Sequence, residues 1–126
     1  MRLLLDTHLA LWLVRDAPEL SAEARRLILA AEAVFVSSVS IWEATIKVAT
    51  GKLPLDPARL ESQLLVAGVQ PLPLTWAHAR ALHGLPMHHR DPFDRMLVAQ
   101  ATVEGFELLT SDATVARYPG PIRYFG

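Results

Sequence analysis

Short apolar runs alternate along this chain with stretches of helical period, and that alternation restricts the fold more than any other feature. Arg2–Leu5 and Val34–Ser37 are short, apolar and β-branched or leucine-rich, and read as buried strands. Phe106–Leu109 and Ile122–Phe125 read the same way. Val69–Leu74 is a fifth run, but its two prolines predict an irregular or edge strand. Helical patterns lie between them over His8–Val14, from Ser21 through Ala31, over Val39–Ala49 and from Asp56 to Gly68. Thr75 opens another through Leu82, and Asp91-Pro92 opens one to about Val103, closed by Gly105. Gly84–Arg90 reads as a loop and Ser111–Arg117 as a short helical turn. Strands that alternate with helices predict a parallel sheet covered on both faces.

Composition supports this and removes several functions. The chain has 126 residues, 52% of them hydrophobic and spread along its length, which predicts one domain with its own core and no disorder. There are no repeats, linkers or low-complexity segments. With no cysteine there is no disulfide, thiolate metal site or cysteine nucleophile. The first apolar run breaks at Asp6, too early for a signal peptide, and no run approaches the roughly 18–20 residues of a membrane span. A soluble cytoplasmic protein without membrane contact is therefore expected. The formal net charge of −1 gives no global basic field, so any nucleic acid must meet a local patch. Of the 12 basic residues, only Lys47 and Lys52 are lysines, which leaves ten arginines, the better phosphate forks.

The acids at the ends of apolar elements carry the chemistry. Asp6 ends the first strand and Asp112 follows the fourth. In an open parallel sheet, ligands bind beyond the carboxyl ends of the strands, where strand order reverses. Glu43 lies in an otherwise apolar helix, and Asp94 in the first turn of the helix opened by Asp91-Pro92. Carboxylates brought together repel one another unless a cation or proton intervenes. A cluster of hard oxygens suits Mg2+ or Mn2+, the machinery of in-line phosphodiester cleavage. Each acid also has a plainer reading. Asp6 can cap the helix that follows it, and Asp91 the helix at Pro92. Glu43 and Lys47 form an i,i+4 pair that could be a solvated stripe, and Asp112 fits an Asx turn.

Four strings together carry a family resemblance. Leu3-Leu4-Leu5-Asp6-Thr7-His8 looks like the opening of PIN domains, and Ser37-Ser38-Val39-Ser40-Ile41-Trp42-Glu43 resembles their second motif. Arg90-Asp91-Pro92-Phe93-Asp94-Arg95-Met96-Leu97-Val98-Ala99-Gln100 is similar to the third motif of a VapC-like branch, and Leu109-Thr110-Ser111-Asp112 to the fourth. The set occurs in order and spans essentially the whole chain. The resemblance implies a three-layer α/β/α fold with a five-stranded parallel sheet of order 3-2-1-4-5. It implies a Mg2+- or Mn2+-dependent endoribonuclease, the toxin of a type II toxin–antitoxin pair. Such a protein cleaves cellular RNA, forms a homodimer and is inhibited by a VapB-type antitoxin. Asp6, Glu43 and Asp94 carry over as metal ligands, and Asp112 as a fourth acid acting directly or through water. A module that uses the same scaffold to bind RNA or protein without turnover is the alternative.

Around these acids, Thr7 could bond a metal-bound water or a ligand carboxylate, or cap its helix. Arg90 and Arg95 could clamp a scissile phosphate or pair with nearby acids. Lys47 could touch RNA backbone or balance Glu43. Trp12 and Trp42 fall on apolar helical faces and predict core packing, with a dimer or antitoxin groove as the other use of Trp12. His88 and His89 are adjacent and match no zinc spacing. Neither a serine triad nor a phosphate-binding glycine loop is present. A phosphatase with Asp6 as nucleophile is disfavoured by His8, where such enzymes commonly carry a second aspartate.

Overall fold

A computed structural model describes residues 1–87 and 90–125. In chain order it contains β1 (Arg2–Leu5), α1 (Thr7–Arg15), α2 (Ala22–Ala30), β2 (Ala33–Ser37) and α3 (Ser38–Ala49). Then come α4 (Pro57–Val66), β3 (Gln70–Leu72), α5 (Trp76–Ala81), α6 (Pro92–Glu104), β4 (Glu107–Thr110) and β5 (Ile122–Tyr124). The five strands form one sheet in the order β3-β2-β1-β4-β5, and every neighbouring pair is parallel. This is the predicted order, and it puts the reversal of strand sequence between β1 and β4.

Strand period explains how the sheet fills both of its faces. Leu3 and Leu5 pack on one side with Leu9, Ala24, Ile28, Leu60 and Leu64 from α1, α2 and α4. Leu4 points the other way, to Leu97, Val98 and Ala101 of α6 and to Phe106 and Leu108. All three leucines of β1 are fully buried. Each contributes about 1.5–3 kcal/mol by leaving water, so the centre of the sheet is fixed chiefly by this strand. Phe35 of β2 stacks on Phe106 at 4.4 Å and closes that second face.

The helix starts are set by side chains named above. Ser21, Asp56, Thr75 and Asp91 each accept a backbone N–H from the turn they open. Gly105 closes α6 with φ of 72°, a conformation that costs glycine least. Differences from expectation are local. β3 is three residues, not six, because each of its prolines lacks a ladder donor, and it stands at the sheet edge. The stretches around 82–84 and 115–117 tighten into single 3-10 turns. Among the described residues, no helix is long and apolar enough to cross a membrane. His88 and His89 lie outside the described residues.

Candidate metal centre at the strand ends

Asp6 leaves β1 at the point where strand order reverses, and its backbone N–H donates to Leu109 of β4 at 3.0 Å. The side chain is only 3% exposed, yet both of its oxygens are engaged. Oδ1 accepts the Leu9 N–H at 2.9 Å and so caps α1. Oδ2 accepts the hydroxyl of Thr110, the last residue of β4, at 2.6 Å. The cap reading of Asp6 is therefore correct, and it leaves a charge behind. Burial pushes the Asp6 carboxyl above its ordinary range, against the pull of the Thr110 hydroxyl, the Leu9 N–H, nearby His8 and the Ser111 N–H.

Glu43 reaches the same neighbourhood from α3. It is 5% exposed, which overturns the solvated-stripe reading: the helix turns this acid inward. Oε1 accepts the Thr7 hydroxyl at 2.6 Å, and Thr7 shares a further hydrogen bond with Ser40 at 2.9 Å. Oε2 faces Lys47 Nζ at 3.1 Å. Thr7 follows Asp6 directly, so one step of backbone links the two buried acids.

The other acids stand nearer solvent. Asp94 is half-buried in the first turn of α6. Asp91 caps α6, accepting from Phe93 N at 2.8 Å and Asp94 N at 3.2 Å. Trp42 and Phe93 meet edge to face at 5.0 Å, so the residues just before Glu43 and Asp94 bring α3 and α6 together. Trp42 is nevertheless 58% exposed, which corrects its placement in the core: the buried face of α3 runs through Val39, Ser40, Glu43 and Ala44, and Trp42 falls outside that stripe. Trp12 is half-buried against the core beneath α1. Asp112 accepts Thr114 N at 2.8 Å in an Asx turn, while its own N–H donates to Thr110 Oγ1 at 3.0 Å. Thr110 thus joins the loop of the fourth acid to the first. Arg95 bonds the Pro86 carbonyl at 3.0 Å and lies over the Tyr118 ring, and Arg90 is exposed.

Sequence reasoning gave Ser40 and Thr110 no role. Both lie inside motifs singled out above, three residues before Glu43 and two before Asp112, and a polar residue at a buried position is the available signal. The donors fit a hard divalent cation in kind: all are oxygens, Asp6 is desolvated, and Glu43 already holds a cation in the ammonium of Lys47. They do not close a shell as they stand. Among the described residues, no three of His, Cys, Asp and Glu form a group able to hold a metal. Like charges with no cation between them keep apart. A cavity of about 250 Å3 between α3, α4 and β3 touches none of the four acids. The chemistry of the donors therefore locates this candidate site better than concavity does.

No curated protein sequence matches the chain. Its structure is similar to that of VapBC2 from Rickettsia felis bound to a DNA fragment from their promoter, with 15% identity, a TM-score of 0.75 and all of both chains covered. It is also similar to DNA-bound VapBC from Salmonella typhimurium, at 18% identity and a TM-score of 0.69 over 98% of each chain. A toxin–antitoxin complex from Klebsiella pneumoniae matches at 15% identity and a TM-score of 0.65, covering 95% of this chain and 94% of that one. At these identities the likeness is one of fold. The sequence profile of the PIN domain matches residues 3–121, and the chain belongs to that family.

Proposed function

We propose that this protein is a Mg2+- or Mn2+-dependent endoribonuclease and the toxin of a toxin–antitoxin pair. The observation that carries the reading is the pair of buried carboxylates, Asp6 and Glu43, tied through adjacent Thr7 where strand order reverses. Burying two acids is costly unless something compensates them, and structural duty explains only part of their placement. Asp6, Glu43 and Asp94 would hold the metal, with Asp112 as a fourth acid. Bound there, a divalent ion supplies Lewis acidity for in-line phosphodiester hydrolysis. The chain's own part is orientation. Thr110 and the Leu9 N–H fix both oxygens of Asp6, and Thr7 fixes one oxygen of Glu43. Arg90 stands exposed at the start of the third motif, where it would meet substrate phosphate. Arg95, held by Pro86 and Tyr118, would serve the rim of the same surface.

The neighbours' descriptions as VapBC and toxin–antitoxin complexes support a VapB-type antitoxin as partner. Homodimerisation and a cytoplasmic setting, where RNA is available, complete the reading. A PIN scaffold that binds RNA or protein without turnover is the second reading: among the described residues, no three acids stand together as a metal-holding group. Incubation of purified protein with tRNA and ribosomal RNA fragments in Mn2+, Mg2+ or EDTA separates the two. Cleavage at discrete sites that needs metal supports the nuclease. Metal binding without cleavage of any RNA supports the binding module.

A further inference from the structure

We propose that Lys47 is a positioning residue that competes with the divalent ion for Glu43: it holds the carboxylate in the metal-free protein and yields it when metal arrives. This rests on the nuclease reading of the acids. Glu43 is buried, and its two oxygens are divided between Thr7 at 2.6 Å and Lys47 Nζ at 3.1 Å. An exposed i,i+4 pair on a helix contributes little. Here the carboxylate has lost its water, so the ammonium replaces hydration and its removal strands a buried charge. Two cations cannot share one carboxylate oxygen at contact distance without repelling each other, so occupancy by one weakens the other.

The residue type suits such an exchange. Ten of the 12 basic residues are arginines, but this position carries one of the two lysines. A guanidinium fork locks onto a carboxylate in two places, whereas an ammonium on a flexible stem is a single point charge that can move aside. The Lys47 side chain is 32% exposed, so its head has solvent to swing into. Thr7 keeps its bond to the other oxygen, so Glu43 retains its aim while the cation changes.

The full chain tests this, with Mn2+ as the probe. Lys47→Met keeps the stem and removes the charge. Calorimetric titration should show Mn2+ affinity rising roughly fivefold, the effect of a partly exposed ion pair. The metal-free variant should melt below wild type, and saturating Mn2+ should recover most of that loss. Lys47→Gln guards against a packing defect and should shift affinity in the same direction, while Lys47→Arg should bind Mn2+ no more tightly than wild type. Wild type that binds Mn2+, beside neutral variants that bind it equally or more weakly, would overturn the competition and leave Lys47 as support for Glu43. If wild type itself takes up no divalent ion, the nuclease reading falls and this proposal with it.

Discussion

Two buried polar networks in this small protein look alike by burial and differ in charge. One lies at the strand ends and joins Asp6 to Thr110 and Glu43 to Thr7, Ser40 and Lys47. The other lies between α5 and α6. There His78 is fully buried, its Nδ1 accepts the Thr75 N–H at 3.0 Å, and its Nε2 lies 2.7 Å from Glu104. Because Nδ1 is an acceptor, the ring carries its proton on Nε2 and donates it to the glutamate. Gln100 adds its amide to Nδ1 at 3.3 Å. That second network is a stitch: a capping box and a hydrogen bond from the His78 ring to Glu104 that bind one helix to the next. The first network holds two buried carboxylates with one ammonium, Lys47, beside Glu43, and burial raises the affinity of Asp6 for a proton. Burial alone therefore does not identify a functional site; the charge left over does.

If the contrast is right, mutations in the two networks should separate catalysis from stability. The largest effect is expected for Glu43→Gln, which should lower RNA cleavage by at least about 100-fold, the scale of losing a group that acts in the transition state. Glu104→Gln should leave cleavage within a few-fold of wild type in the same assay. Next in size, His78→Ala opens a cavity and strands the Thr75 and Glu104 groups. Urea unfolding should show a loss of about 2–4 kcal/mol, with Mn2+ affinity unchanged. A loss of metal binding there would mean that the networks are one.

Thr110→Val is milder, since it keeps shape and removes one hydroxyl. It should cost about 1 kcal/mol of stability and weaken Mn2+ binding measured by calorimetry, because Asp6 loses its aim. The smallest effect is one of pH. The folded-state affinity of Asp6 for its proton is raised, so its contribution is most favourable below the ordinary carboxylate value of about 3.9 and is lost as pH rises through the folded value. Asn can keep the cap and carries no charge. Metal-free Asp6→Asn should therefore gain stability relative to wild type as pH rises from 4 to 7, followed by urea unfolding at each pH. A difference that shrinks over that range would put Asp6 among the structural acids.

Much of this was legible in the sequence because its signals are local. Leu3, Leu4 and Leu5 announce a strand buried on both faces. Asp56-Pro57 and Asp91-Pro92 mark helix starts by chemistry confined to three or four residues. The PIN motifs placed Asp6, Glu43, Asp94 and Asp112 in order along the chain. What escaped depends on partners far away in sequence. Thr110 meets Asp6 across 104 positions, and Thr7 meets Ser40 across 33. No periodicity in a single chain encodes such a pairing. Trp42 was misplaced for a related reason: α3 is apolar around most of its circumference, so its pattern does not show which face turns inward. The inward turn of Glu43 is settled by its tertiary bond to Thr7.

The most direct test of the account is the shift in melting temperature on adding Mn2+ at neutral pH, for wild type and for Asp6→Asn. A ligand that binds only the folded state stabilises it in proportion to the logarithm of one plus the ratio of its concentration to its dissociation constant. The account predicts a clear rise for wild type, and for Asp6→Asn a metal-free melting temperature at or above wild type with little further rise. A metal-free Asp6→Asn that melts well below wild type, with no response to Mn2+ in either protein, would contradict it and make Asp6 a structural cap.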